Sequence, residues 1–570
     1  MASSTLLAQI KVVTGKVTDE KGSPIPGVNV QIKNTSKGTS TDFDGKYKLE
    51  AKKGEVLFFA YLGFSNQQKT VDTDQVINVS LREDAQQLDD VVVVGYGSMR
   101  KKDLTGAIVS LKPNRDEAAI ATSIDDLLQG KVAGVSISTG GSTPGSAGSI
   151  TIRGANSLQG DSQPLYVIDN VPQSSTSQGM RNSSGDYQPP LDPLAGINPN
   201  DIEDIQILKD ASATAIYGSR GANGVILITT KKGKAGKATI RVSANFSMAE
   251  ATKFLDLMNL REYATFWNTK YPTDQRFIIG DQIIYSYVGA NTDGPNTLKQ
   301  TLLTDRDWQR EVTRAALSQD YNLNINGGSE KTKYSFSTSY KNVEGIVKNT
   351  GLRHGDFRLN LNSDISDKLS VGFQLSGFLR QNSMMSGGNT TGRVSGAIIP
   401  TAINTAPYFR PTDDVTFGND VDTRATVLSW LTDYDDINNE HRFSGSFNAD
   451  YKITKGLKYT FRTGGNLNNV EKTNWYDLGL YTGFNYNGQL TVDRLKRNNY
   501  NVENLLFYNK SFGAVNIDAT AGVTYDVYNL SSTAELGRNF PYKNLRTNGI
   551  HTATTQQILS PGQSDYQLLS

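Results

Sequence analysis

The sequence predicts a mostly β protein in which a small β-sandwich and a mixed α/β domain precede a long series of antiparallel strands. Three observations lead to this reading. Only 37% of the 570 residues are hydrophobic, while glycine numbers 53, tyrosine 26 and phenylalanine 21, a balance that suits turns and aromatic-bearing strands better than helical bundles. Helix and strand signals mix in one stretch alone, over 101–235. From residue 236 onward polar and apolar residues alternate with a period of two, segment after segment, as strands with two unlike faces do. A chain this long exceeds what one core supports, so several domains are expected.

Lysine plus arginine (58) and aspartate plus glutamate (57) are interspersed and leave a net charge of +1, so no basic stripe marks a nucleic-acid partner. The lack of cysteine excludes disulfides, thiolate chemistry and cysteine-held zinc. No run of eighteen apolar residues occurs, which excludes a spanning helix; a spanning barrel leaves no such trace, because its strands alternate. Residues 1–10, with Leu6-Leu7-Ala8-Gln9, read either as a signal-peptide remnant or as an unstructured leader, since a positively charged start is missing.

Over 11–82 short runs such as Val28-Asn29-Val30-Gln31-Ile32 and Val56-Leu57-Phe58-Phe59-Ala60 are separated by Gly, Pro and Asp turns, the spacing of a small β-sandwich. Pro26-Gly27 and Asp44-Gly45 supply the fixed and positive φ angles that tight turns need. Asp42-Phe43-Asp44-Gly45 could open a calcium loop, but the further oxygen ligands and the distal Glu are missing, so a turn is the better reading. The segments Gly15-Lys16-Val17-Thr18-Asp19, Pro26-Gly27-Val28-Asn29-Val30 and Asp44-Gly45-Lys46-Tyr47 resemble the carboxypeptidase-regulatory-like domain. That resemblance implies a noncatalytic sandwich.

The linker 83–100 is polar until Val91-Val92-Val93-Val94-Gly95-Tyr96-Gly97. Four β-branched residues in a row need a partner. They read as a buried strand of a neighbouring domain, or as an extended segment that adds itself to another protein's sheet edge. Asp89, Asp90, Val91, Val92, Val93, Val94, Gly95, Tyr96 and Gly97 resemble the TonB box of SusC-like receptors. In that family such a segment is gripped by the periplasmic energy-coupling protein, which favours the second reading.

Within 101–235, Ser123-Ile124-Asp125-Asp126-Leu127-Leu128-Gln129 predicts a short helix ended by Gly130, and strands are expected at Val132 onward, at Ser149-Ile150-Thr151-Ile152, at Leu165-Tyr166-Val167-Ile168, after Asn198-Pro199-Asn200-Asp201, and at Val225-Ile226-Leu227-Ile228. The glycine-rich stretch from Gly140 to Gly148 lacks the following Lys-Ser/Thr pair and helix of a phosphate loop. Leu128-Gln129-Gly130-Lys131-Val132-Ala133-Gly134-Val135, Ile152-Arg153-Gly154 and Ala215-Ile216-Tyr217-Gly218-Ser219-Arg220-Gly221-Ala222-Asn223-Gly224 resemble the plug of TonB-dependent receptors, in the SusC/RagA branch. Asn170 stands where that family usually carries Gly, and Asn tolerates a left-handed turn. Arg153, Asp169, Glu203, Lys209, Asp210 and Arg220 are candidate plug charges, read as wedged against a polar barrel wall; as a catalytic set they lack a histidine and a nucleophile signature.

In 236–570 the pattern puts Phe443, Gly445, Phe447, Ala449 and Tyr451 on one face and Arg442, Ser444, Ser446, Asn448 and Asp450 on the other. An exposed sheet of a soluble protein has the same alternation; the preceding plug-like segment favours a barrel with its apolar face to lipid and its polar face to a lumen. Short turns at 363–368 and 452–456 alternate with a long excursion over 381–440. About ten strands are expected, against about 22 in plugged transporters, so the expected fold is the N-terminal part of a 22-stranded antiparallel transmembrane β-barrel, incomplete in this chain.

The resemblance implies a TonB-dependent receptor in the outer membrane of a Gram-negative bacterium, importing oligosaccharides or peptides. The implied partners are TonB with ExbB/ExbD, a SusD-like lipoprotein and outer-membrane lipid, with no cofactor, metal or catalytic residue. One alternative is a truncated periplasmic module that binds TonB without transporting. Another is a secreted enzyme using His354, His441 or His551, which show no ligand spacing.

Overall fold

The computed structural model describes residues 10–569 except for 83–90, 95–96, 101–107, 118–123, 139–143, 155–161, 174–193, 289–298, 384–397, 409–426 and shorter stretches of one to four residues. It divides into two compact units, one up to Thr105 and one from Gly106 onward.

In the first unit β1 (Ile10–Thr18), β2 (Asn29–Ile32), β3 (Gly38–Ser40), β4 (Lys46–Lys52), β5 (Val56–Ala60), β6 (Gln67–Thr70) and β7 (Val79–Ser80) form two sheets, ordered β4-β1-β7 and β3-β2-β5-β6. The expected sandwich is present. Strands β3 and β6 escaped the sequence reading because Gly-Thr-Ser and Gln-Gln-Lys-Thr carry no apolar alternation; both are edge strands, with one side unpaired. Val13, Val17, Val30, Leu57 and Phe59 are fully buried between the sheets. Tyr47 packs edge-on against Phe59 at 5.4 Å and its hydroxyl donates to the Ile77 carbonyl at 2.8 Å; burial pushes the phenol up to about 12. Asp42 closes its turn by accepting the backbone N–H groups of Asp44 (3.0 Å) and Lys46 (2.8 Å).

The valine run forms β8 (Val91–Val94), which pairs antiparallel with β9 (Gly97–Arg100), Val91 opposite Arg100 and Val94 opposite Gly97. Asp89, Asp90, Gly95 and Tyr96 lie outside the described residues.

The second unit begins with β10 (Ile108–Leu111), β11 (Val135–Ser138), β12 (Ser149–Ile152), β13 (Leu165–Ile168), β14 (Val171–Gln173), β15 (Ile202–Leu208) and β16 (Val225–Thr230). Five of these make a mixed sheet ordered β10-β15-β16-β13-β14, with β13 parallel to β16, and β11 pairs with β12 apart from it. The sheet is covered on both sides, which is why β16 reads Val-Ile-Leu-Ile without alternation: Ile205, Ile207, Ile226 and Ile228 pack with the helix Ile124–Leu128, while Leu165, Leu208, Val225 and Leu227 pack with Tyr217. The strand expected from Val132 begins only at Val135, because Gly134 turns the chain with φ 76°. The small residues from Ala211 to Tyr217, which predict one helix, form a helix only over Ala211–Thr214 and continue as a 3-10 turn through Gly221, broken at Gly218 (φ 59°, ψ −144°).

The remaining strands are β17 (Gly236–Ala249), β18 (Phe277–Ile279), β19 (Ile284–Val288), β20 (Lys299–Leu303), β21 (Ala316–Gly328), β22 (Thr332–Glu344), β23 (Gly351–Asp364), β24 (Leu369–Ser383), β25 (Tyr434–Thr454), β26 (Leu457–Tyr476), β27 (Gln489–Phe512), β28 (Val515–Arg538), β29 (Thr555–Ile558) and β30 (Gly562–Leu569). All but β18–β20, which form a small sheet of their own, join one antiparallel wall running from β17 through β21 to β28, with β29 and β30 both paired to β28. Neither β29 nor β30 pairs with β17 among the described residues.

Burial on this wall is inverted relative to a soluble sheet. Val242 (77% exposed), Phe373, Phe447 and Leu467 stand on the outer face, while Asp356, Asn360, Glu440 (0% exposed) and Asp526 are buried on the inner one. Register keeps the apolar rows continuous from strand to strand: Val242 faces Leu323, Ile325 faces Phe336, and Leu361, Phe373 and Phe447 lie side by side. Short turns close one end of the wall. At the other end the excursion expected over 381–440 is shorter, because Gln381–Ser383 pair with Ile437–Asn439 and prolong β24 and β25. Its helices Ile398–Asn404 and Val427–Thr432 pack with the helix Trp308–Val312 in an apolar cluster around Trp308, Trp430 and Tyr476.

Phe59→Ala should empty the sandwich core and destabilise the first unit by about 3–5 kcal/mol, read as a lowered urea midpoint with an unchanged slope.

Candidate functional site

The inner face of the wall meets the mixed domain, and most of the contact is polar. Asp169 ends β13 in a left-handed conformation (φ 47°), which costs about 1–2 kcal/mol in a residue with a Cβ. The turn aims its carboxylate at two partners. It accepts the backbone N–H of Thr230 at 2.9 Å and its hydroxyl at 2.7 Å, and it pairs with Arg358 of β23 at 3.4 Å. Asn170, for which a left-handed turn was expected, lies outside the described residues. Arg220, carried by the 3-10 turn, pairs with Asp526 of β28 at 3.1 Å and donates to the Tyr528 hydroxyl. Both ion pairs are nearly dry, with side chains between 4% and 16% exposed.

The other candidate charges stay within the mixed domain. Arg153, also left-handed (φ 59°), pairs with Asp210. Lys209 donates to the Ala133 carbonyl at 2.8 Å, holding the turn before β11. Glu203 is exposed on β15. The structure thus brings Asp169 and Arg220 to the wall and joins Arg153, Lys209 and Asp210 to their own domain.

Uncharged groups make most of the remaining contacts, and sequence reading passed them over. Ser337 donates to Asp201 at 2.7 Å, Asn360 to the Lys231 carbonyl at 3.1 Å, Asn466 to Gln173 at 2.6 Å and Asn499 to the Pro172 carbonyl at 3.4 Å. Asn326 accepts from the Lys234 backbone and donates to the Lys232 carbonyl, where the chain passes from the mixed domain into β17. The available signal was positional: these Ser and Asn residues occupy inward places in the period-two pattern. Each such bond contributes about 0.5–1.5 kcal/mol net, so among the described residues the interface is many small terms around two ion pairs. Burial raises the Asp201 carboxyl above the usual carboxylate range, with Arg358 and the Ser337 hydroxyl opposing.

Higher on the wall Glu440 sits between Arg380 and Arg442, the latter at 2.8 Å, and Lys472 pairs with Asp436 at 3.3 Å. His354 lies 3.2 Å from Asp356 on the same strand. No three His, Asp or Glu side chains converge as a metal site among the described residues.

Comparison with known proteins bears on each part. Residues 13–93 match the CarboxypepD_reg-like domain and residues 100–225 the TonB-dependent Receptor Plug Domain. The TonB-dependent receptor SusC of Bacteroides thetaiotaomicron is 38% identical over 356 residues, 62% of this chain and 32% of that relative. TonB-dependent receptor P26 of Formosa agariphila is 32% identical across the whole chain, which covers 54% of it. The matched part of the chain therefore spans from 32% to 54% of the length of these curated relatives. Among solved structures, the RagAB peptide importer in its open-open state aligns with a TM-score of 0.64 at 22% identity, over 84% of this chain and 53% of that one. That likeness is one of fold.

Arg358→Ala leaves Asp169 buried without its guanidinium and should loosen the seated domain by about 3–5 kcal/mol. Hydrogen exchange at β13 should then accelerate while exchange in β25 and β26 stays as it was.

Proposed function

We propose that this chain, in sequence and fold a TonB-dependent receptor of the SusC/RagA type, is the plug-bearing part of an outer-membrane importer of oligosaccharides or peptides in a Gram-negative bacterium. The observation that carries the reading is a polar plug seated on the polar inner face of a wall whose outer face is apolar. In this account residues 11–82 are the accessory sandwich, 83–100 the linker with the TonB box, 101–235 the plug and 236–570 the wall. Among the described residues β17 and β30 each present an edge without a strand partner, and hydrocarbon offers the backbone groups of such an edge none.

TonB, driven through ExbB/ExbD, pulls on the segment from Asp89 to Gly97. The linked plug then shifts in its seat, and cargo held on the long-loop side passes to the periplasm. A SusD-like lipoprotein covers that side; the likeness in fold to the RagAB peptide importer supports peptides as one cargo class. Work comes from the inner-membrane proton gradient, so no nucleotide, cofactor or catalytic residue is required. The pairing of β8 with β9 supports a handle that is already extended and can offer a strand edge to a partner sheet.

Val93→Pro removes a backbone donor from that handle. In the receptor expressed from its native gene it should abolish capture by the purified TonB C-terminal domain and stop growth on the imported nutrient, with unchanged outer-membrane abundance. Undiminished capture and growth would contradict the assignment.

A further inference from the structure

The plug is fastened to the wall on two flanks. On one, Ser337, Arg358 and Asn360 of β22 and β23 hold Asp201, Asp169 and the Lys231 carbonyl. On the other, Asn466, Asn499 and Asp526 of β26 to β28 hold Gln173, the Pro172 carbonyl and Arg220. Between the flanks runs the inward face of β24 and β25. Gln374 stands opposite Ser446 there and Ser376 opposite Ser444, and Ser446 donates to Gln374 at 3.2 Å along the wall itself.

These short side chains leave space. A polar cavity of about 300 Å³ begins at the short-turn end, beside Lys331, Lys333 and Asp364, and reaches Asp169 and Val171 of the plug. A smaller one of about 40 Å³ continues upward, sharing Asp169, Val171, Gln374 and Ser446 with the first. It ends at Phe378, an aromatic at an inward position. The Phe378 ring lies against Gly196 of the plug so closely that a Cβ at Gly196 would fall 2.2 Å from it. The Arg442 guanidinium sits 5.0 Å from the ring centroid, fixed by Glu440, and the His354 ring lies 5.4 Å away.

We propose that the β24–β25 strip is the exit route for polar, hydrogen-bonding cargo, already open from the short-turn end and sealed above by Phe378 on Gly196. This rests on the importer reading and adds to it where the path lies. Parting the plug from the strip breaks the Phe378 contact and the hydrogen bond from Asn382 of β24 to the Pro144 carbonyl (3.3 Å) but spares the Gln173, Pro172 and Arg220 anchors. Leaving the wall altogether breaks both flanks. On the strip itself Gln374, Ser376, Ser444 and Ser446 offer amide and hydroxyl groups to a sugar or peptide backbone in transit, while charged side chains flank it, Lys333, Asp364 and Arg462 below and Arg358 and Arg442 above.

The chain contains no cysteine, so single replacements report position. In cells expressing the receptor from its native gene, Ser376→Cys and Ser444→Cys should become several-fold more reactive to an impermeant maleimide when the proton gradient is intact and nutrient is supplied, compared with uncoupled cells. Ser337→Cys, on the fastened flank, should stay at its uncoupled level. Uptake is measured in the same cells. Normal uptake with no rise on the strip, or with an equal rise at Ser337→Cys, overturns the route and leaves import standing. Absence of uptake by the unsubstituted receptor overturns the import reading itself, and the route with it. Phe378→Ala should admit a small hydrophilic dye without an energised membrane, and Phe378→Leu should not; an unchanged leak in Phe378→Ala overturns the seal.

Discussion

The inverted polarity of the wall is the constraint on which the rest of the structure depends. A sheet facing hydrocarbon must turn its apolar side chains outward and keep its polar ones within, and this wall does so: Val242 is 77% exposed while Glu440 is fully buried. The inversion then dictates the plug. A polar inner face without water must find polar partners, since a buried group left unpaired costs about 1–3 kcal/mol. Hence the plug meets the wall through Asp169, Arg220, Asp201 and backbone carbonyls rather than through leucines.

That choice separates two kinds of cohesion. The plug holds itself together through Ile205, Ile207, Ile226 and Ile228, all essentially inaccessible to solvent. It holds to the wall through hydrogen bonds and two ion pairs, which water replaces at small net cost once it enters. Loosening the interface therefore does not demand unfolding the domain. Strained backbone marks the same boundary, where Asp169 is left-handed so that one carboxylate can serve both Thr230 and Arg358.

Much of this was legible from residues alone, because period and turn chemistry are local. Phe443, Phe447 and Tyr451 declare their face by alternation, and Gly27 and Gly45 take the positive φ their turns call for. What was illegible depends on distant partners. Asp169 and Arg220 carried charge that the chain could have satisfied within the plug, as Arg153 and Asp210 do; only the register of β23 and β28 brings Arg358 and Asp526 opposite them. Strands β3 and β6 failed for the opposite reason, having too little apolar content to declare a face. The ends of β24 and β25 carry few apolar residues on either face, so their pairing through Ser383 and Ile437 looked like loop.

The inverted wall is tested most directly by spin labels placed singly at Val242, Phe373, Phe447 and Leu467, and at Asn448 on the inner face, in the receptor reconstituted in lipid. Relaxation by oxygen should dominate at the outer positions, and relaxation by a water-soluble nickel complex should be negligible there. Strong nickel relaxation at those outer positions would place the apolar face in water and contradict the account.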